Sequence, residues 1–324
     1  MKEALYYTNE NGYVYCVLCP HYCRLSEGET GKCMGRKNID GKLYSLNYGK
    51  ITSYGFDPIE KKPLFHFYPG STVFSFGTFG CNFRCDFCQN WQIVEDSNMY
   101  IEMENNEILE LSSLNDSIGI AYTYNEPSIY YEMVLDLAKS VKESGKKNIL
   151  VTNGFLNREP LEELLPYIDA MNIDLKSMSR NYYKTLCKGS LDPVLKTIEL
   201  AAKKTHVEIT NLVIDGLNSS EEEMERMTSF IGDIDNNIPL HLSRYFPHNK
   251  MDNPPTKVET LEKLRNIALT HLNYVYIGNV WGVNNDTLCP NCRNKLIGRF
   301  PETKVIGIEG NHCNNCGERI SIVV

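Results

Sequence analysis

The chain has 324 residues, 42% of them apolar and 23% charged, which suits one large soluble domain with small additions or two modest domains. A formal net charge of −8 argues against a nucleic acid partner, whose phosphate backbone favours basic surfaces. No run approaches the roughly 18 apolar residues of a membrane span, and MKEALYYTNENGYVYC has no apolar signal core, so a cytoplasmic protein with no membrane contact is expected.

In chain order, residues 1–62 read as an irregular Cys-rich metal-binding module that ends in a short β segment, GKLYSLNYGKI. Residues 63–285 alternate short apolar runs with longer amphipathic stretches, as β–α units on a parallel sheet do. The expected strands are Thr72–Gly77, Ile118–Thr123, Asn148–Thr152, Ala170–Leu175, His206–Ile214, Pro239–Tyr245 and Tyr274–Gly278. The expected helices between them include Ser128–Ser144, Leu191–Lys204, Ser220–Ile231 and Thr256–His271. Ser219 or Ser220 before Glu221–Glu223 is a helix start. Residues 286–324 form a C-terminal module. Polar, Gly and Pro residues gather after successive strands, where β/α barrels build their sites.

Twelve cysteines in a reducing compartment point to metal ligands rather than disulfides. Eleven fall into three sets: Cys16, Cys19, Cys23 and Cys33; Cys81, Cys85 and Cys88; and Cys289, Cys292, Cys313 and Cys316. Cys187 stands alone and reads as a buried thiol.

The middle set lies in GTFGCNFRCDFCQNW, directly after the first strand of the sheet. Three thiolates within eight residues leave one iron of an iron–sulfur cube open to another ligand, whereas zinc would bring a fourth Cys or His close by. Phe87 can shield such a cluster or stack on an adenine, and Gly77 and Gly80 let the loop turn tightly.

The outer sets read differently. Cys-x2-Cys, twenty residues, Cys-x2-Cys is a zinc-ribbon spacing, which rubredoxin-like iron also uses. At the N-terminus the spacing is Cys-x2-Cys-x3-Cys-x9-Cys, with His21 inside. It suits structural zinc, with an auxiliary iron–sulfur cluster as the alternative.

LCPHYC, YGFDPIEKKPLFHFYPG, GTFGCNFRCDFCQNW, YTYNEP, VTNGF, NIDLK and VYIGNV together resemble the AmmeMemoRadiSam-system radical S-adenosylmethionine enzymes, relatives of pyruvate formate-lyase activating enzymes. The resemblance spans nearly the whole chain. It implies an α/β fold with a partial (β/α)6-type radical SAM barrel, an N-terminal Cys-rich module and a C-terminal zinc-ribbon-like module. It also implies a [4Fe–4S] cluster on Cys81, Cys85 and Cys88 that cleaves S-adenosylmethionine reductively to a 5′-deoxyadenosyl radical. An electron donor of ferredoxin or flavodoxin type, and companion proteins of the AmmeMemoRadiSam system, would be the partners.

By the same resemblance, Glu126 of YTYNEP meets the ammonium of S-adenosylmethionine. Tyr124 and Asn125 stand where the family usually has two glycines, which implies either a looser backbone approach to the ligand or the Asn125 side chain in its place. Thr152 and Asn153 face the ribose or carboxylate. Alternation along the strand aims Asp174 and Lys176 the same way, to bind cofactor or substrate or to pair with each other. Arg244, Tyr245 and His248 are further substrate-facing candidates. About 29 residues between Cys88 and the second strand are too few for a two-cluster ferredoxin insert. The expected function is radical hydrogen abstraction from a partner protein; the alternatives are a small-molecule substrate, or a non-catalytic iron–sulfur or zinc scaffold.

Overall fold

A computed structural model describes residues 1–96 and 98–324. Its centre is an eight-stranded sheet: β1 (Ser53–Pro58), β2 (Thr72–Gly77), β3 (Gly119–Tyr122), β4 (Lys147–Thr152), β5 (Ala170–Asp174), β6 (His206–Val213), β7 (Leu240–Arg244) and β8 (Val275–Gly278). The spatial order follows the chain order, and β2 to β8 are all parallel. Segments such as FSF, GIAY and NILV have apolar residues for both faces, so they are buried on both sides, as parallel strands are. All seven parallel strands lie where the apolar runs predict, within a residue or so at each end.

Each connection between parallel strands carries a helix: α1 (Asn105–Leu111), α2 (Tyr131–Glu143), α3 (Arg158–Leu164), α4 (Leu191–Ala201), α5 (Glu221–Ile234) and α6 (Val258–Ala268). In α2 the buried Met133, Val134, Leu137, Ala138 and Val141 recur at helical spacing and face the sheet. Fully burying a side chain such as Val134 or Leu137 contributes roughly 1.5–3 kcal/mol. The α5 start is capped as expected: Ser220 Oγ accepts the Glu223 N–H at 3.1 Å. The helix expected from Ser128 begins instead as a 3₁₀ turn, Pro127–Tyr130, because Glu126 rather than Ser128 caps it.

Two expectations change. The edge strand β1, assigned by sequence to the N-terminal module, runs antiparallel to β2 along its whole length. Residues 1–45 are not irregular but form two small antiparallel sheets. One pairs Tyr7–Glu10, Tyr13–Cys16 and Arg24–Leu25; the other pairs Lys2–Glu3, Lys42–Ser45 and Arg36–Ile39. Strands of two to four residues between Gly and Asn turns are too short to show a period.

The N-terminal module is keyed to the sheet by one buried ion pair. Arg36 on the second small sheet donates to Glu132 of α2 at 2.5 Å, and both side chains are at most 2% exposed. Glu132 also accepts the Leu5 N–H, and Arg36 donates to the Leu5 carbonyl, while Arg36 Nε and Glu132 Oε2 are buried without a hydrogen-bond partner.

A second polar network sits at the opposite end of the sheet. Glu208 on β6 is fully buried and accepts the backbone N–H groups of Phe65 and His66 and the ring nitrogens of His206 and His241. Residues 63–70 are thereby pinned under the strand N-termini. The tail joins them, with Val323 N–H donating to the His66 carbonyl.

Candidate functional site

The cysteine loop leaves β2 at Gly77 and is shaped by close backbone contacts. A Cβ at Gly77 would lie 2.4 Å from the Thr123 carbonyl oxygen. One at Gly80, whose φ is +84°, would lie 2.4 Å from that of Cys33. Both glycines are therefore required, by proximity as much as by turning.

Asn125 fastens this loop. Its Oδ1 accepts the Thr78 N–H at 3.0 Å, and its Nδ2 donates to the carbonyls of Gly80 at 2.9 Å and Phe79 at 3.3 Å. The side chain expected to reach a ligand instead holds the segment that leads into Cys81.

Tyr124, in the preceding position, has φ +67°, a left-handed conformation that glycine adopts freely. Its hydroxyl donates to Asp57 at 2.9 Å, and Lys62 pairs with the same carboxylate at 2.8 Å. The loss of the two glycines at this turn is thus accommodated by a strained Tyr tied to β1.

Glu126 is 2% exposed and joins two strand ends. Its Oε1 accepts the Thr152 hydroxyl at 2.7 Å and the Ser128 N–H at 3.0 Å, and its Oε2 accepts the Asn153 N–H at 2.8 Å. Burial raises its pKa, opposed by the bonds from Asn153, Ser128 and Thr152. From there the network reaches the sulfur. Asn153 Nδ2 donates to Asn82 Oδ1 at 2.8 Å and lies 3.7 Å from Cys81 Sγ, while the Phe83 N–H donates to the same sulfur at 3.3 Å. N–H groups aimed at a sulfur favour a thiolate ligand, so the donor set fits an iron–sulfur centre. Sequence reasoning missed Asn82; its place directly after the first cysteine was the available signal.

On the other side, Asp174 and Lys176 form an ion pair at 2.9 Å at the end of β5. Burial opposes the Lys176 charge, yet Asp174 and the Cys85 and Cys187 sulfurs hold its pKa well above the usual range. Phe87, 3% exposed, packs its ring 5.8 Å from that of Tyr182, with the Lys176 ammonium 5.8 Å from its centre.

Cys187 is buried but not isolated. Its carbonyl accepts the Arg84 N–H at 3.0 Å, and its thiol raises the Cys85 pKa, first by a hydrogen bond and then together with burial. Burial and Cys85 push Cys88 up to about 11. Metal loading at these thiols must therefore release protons.

The loop after β7 closes over the cysteines. Asn249 donates to the Cys85 carbonyl at 3.1 Å, and the Lys250 N–H to that of Asp86 at 2.9 Å. Of the candidates on this segment, Tyr245 is fully buried and bonds to the Met251 carbonyl, and Arg244 is tied to the Thr256 carbonyl. His248 is exposed, in a bridge with Met251.

The C-terminal cysteines form a separate cage. The sulfurs of Cys289, Cys292, Cys313 and Cys316 all lie within 4.8 Å of one another, with Cys289–Cys316 and Cys292–Cys313 at 3.7 Å. Against the effect of burial, N–H groups of Asn315, Cys316 and Asn294 lower the Cys313 thiol to about 6. This geometry can hold one tetrahedral metal ion.

Residues 76–231 match the model of the radical SAM superfamily. The chain is 45% identical to an uncharacterized protein of Methanocaldococcus jannaschii over the full length of both. Residues 76–231 thus form a radical SAM domain. The chain is also 26% identical to the pyruvate formate-lyase-activating enzyme of Staphylococcus epidermidis, over 49% of this chain and 68% of that protein. The Streptococcus suis SuiB structure with bound precursor peptide SuiA shares the fold, with a TM-score of 0.51 and 16% identity over 68% of this chain and 51% of SuiB.

This is a radical SAM enzyme that abstracts hydrogen, and the family implies a [4Fe–4S] cluster and S-adenosylmethionine. The fold is the α/β fold of that family with a mixed, mostly parallel sheet. Among the described residues, no helix is long and apolar enough to cross a membrane.

Proposed function

We propose that this enzyme takes a hydrogen atom from a partner protein, as an activating enzyme does. The similarity to a pyruvate formate-lyase-activating enzyme carries this reading. In it, Cys81, Cys85 and Cys88 hold the cluster, and S-adenosylmethionine lies across the ends of β3, β4 and β5 in a partial barrel. When bound, the cluster supplies the electron that cleaves S-adenosylmethionine to the 5′-deoxyadenosyl radical.

The protein's part is positioning and the exclusion of water. Asn125 holds the approach to Cys81, and Glu126 sets Thr152 and Asn153 toward the cofactor from behind, rather than by touching solvent-side groups. Asp174 and Lys176 put an ion pair beside Cys85 and Cys88. The two outer modules flank residues 63–285, and the close C-terminal cage suits structural zinc. A ferredoxin or flavodoxin type donor, and companions of the AmmeMemoRadiSam system, complete the proposal.

The test is anaerobic. Reconstituted, reduced protein should form 5′-deoxyadenosine from S-adenosylmethionine, and Cys85→Ala should form none. Deuterium from a labelled companion protein should then appear in 5′-deoxyadenosine. Deuterium transfer from a small-molecule fraction of cell extract, and none from protein, would replace the partner-protein reading with the small-molecule one.

A further inference from the structure

Given the radical reading above, the cluster must take its electron from outside the chain, so the surface around the cysteine loop must meet a donor. Three separate segments clamp the backbone of that loop. From the N-terminal module, the Lys32 carbonyl accepts the Arg84 guanidinium at 2.9 Å. From the π-helical turn Tyr183–Cys187 that follows β5, the Leu186 and Cys187 carbonyls accept the N–H groups of Asp86 and Arg84, both at 3.0 Å. From the loop after β7, the Lys250 N–H donates to the Asp86 carbonyl at 2.9 Å.

Each segment brings exposed lysine to the loop: Lys32 from the first, Lys184 and Lys188 from the second, and Lys250 from the third. Arg84, between the first two cysteines, adds a half-buried guanidinium whose contacts are the carbonyls of Cys81, Phe83 and Lys32, dipoles that solvate its charge without cancelling it. The carboxylates at the loop are Asp86, which Lys188 meets at 3.2 Å, and the half-buried Asp252. Glu29, near Lys32, is turned back onto Ser26 by two hydrogen bonds. The cations therefore prevail around the cysteines, in a chain whose acidic residues outnumber its basic ones by 41 to 33. A local charge of this kind steers a partner of opposite sign onto the surface and fixes its orientation.

We propose that the rim formed by Lys32, Lys184, Lys188 and Lys250 is the docking surface for a small acidic electron-carrier protein of ferredoxin type. The reduced carrier loses one electron and the cluster held by the loop beneath the rim gains it. The rim is confined to the loop and its clamps, in a chain of net charge −8, so it suits a compact acidic protein rather than an extended polyanion. The hydrogen-donating partner has a different place to reach, the ends of β3, β4 and β5 where the cofactor is proposed to lie.

The experiment uses full-length protein reconstituted anaerobically with its cluster, an acidic ferredoxin as the probe, and dithionite as a reductant that needs no docking. In calorimetric titration, wild type should bind the ferredoxin with an affinity that falls as salt is raised. Lys32→Glu/Lys184→Glu should bind on the order of 10-fold more weakly, and ferredoxin-driven formation of 5′-deoxyadenosine should fall in step at low ferredoxin. With dithionite the same variant should match wild type, which shows that it is folded and carries its cluster. Lys203→Glu/Lys204→Glu changes two exposed lysines between α4 and β6, at the strand N-terminal end far from the loop, and should bind as wild type does. An equal loss in that control, or an unchanged affinity in the Lys32→Glu/Lys184→Glu variant, would overturn the proposal, and so would binding of flavodoxin with none of ferredoxin. Wild type that makes no 5′-deoxyadenosine with dithionite would instead count against the radical reading, while the titration still decides the docking.

Discussion

Glu126 Oε2 accepts the Asn153 N–H at 2.8 Å, and this bond ties the end of β3 to the end of β4 directly behind Cys81. Glu126→Ala leaves the Asn153 and Ser128 N–H groups and the Thr152 hydroxyl without an acceptor in a buried site. Each costs about 1–3 kcal/mol unless water enters, so a loss of roughly 2–4 kcal/mol is expected in urea unfolding of iron-free protein. Glu126→Gln restores one acceptor and should lose less. An alanine variant as stable as wild type would show that the carboxylate does not hold these loops.

At Tyr124 the left-handed backbone sets the order of substitutions. Both Tyr124→Gly and Tyr124→Ala lose the hydroxyl bond to Asp57, but only alanine keeps the steric cost of φ +67°. The glycine variant should be the more stable of the two by about 1 kcal/mol, in spite of its more mobile unfolded chain. Thermal unfolding of the pair checks this, and the reverse order would sink it.

Acid should weaken the fold through the network beneath the sheet. Burial pushes the His66 pKa down to about 3, so only the unfolded chain takes up its proton as pH falls from about 6.5 toward 3, and stability is lost over that window. Burial opposes the Glu208 charge, but hydrogen bonds from His206 and His241 hold its pKa well below 4.5. Its contribution is present above about 4.5 and is lost below it. His66→Gln should flatten the dependence between pH 6.5 and 4.5 by up to ~1.4 kcal/mol per unit. Unfolding free energies measured at half-unit steps would reveal an unchanged slope, the result that counts against this account.

Cys187 offers a control on the number of cluster ligands. Its thiol sits beside Cys85, yet it lies outside the three-cysteine loop and bonds to that loop through its carbonyl. Cys187→Ala should keep the wild-type iron count and still form 5′-deoxyadenosine. Loss of ~4 irons would make Cys187 a ligand.

The parallel strands were legible because strands buried on both faces must be apolar at nearly every position, and those runs survive without any knowledge of partners. The cysteine loop was legible because its ligands are close in sequence. What escaped is what depends on distant residues. Whether Glu126 faces a ligand or the interior is set by Thr152 and Asn153, 26 and 27 residues away. Glu208, a lone carboxylate inside the apolar HVEITNLV, was a signal that a buried partner had to exist, but not where.

The Arg36–Glu132 pair constrains how such chains can diverge. A descendant that discarded its first small sheets would retain a carboxylate in α2 with no cation to neutralise it, at a cost of about 3–5 kcal/mol. One that replaced Glu132 alone would strand the guanidinium instead. The two positions must change together or not at all, so inheritance of the N-terminal module is written into a helix of the sheet that it covers.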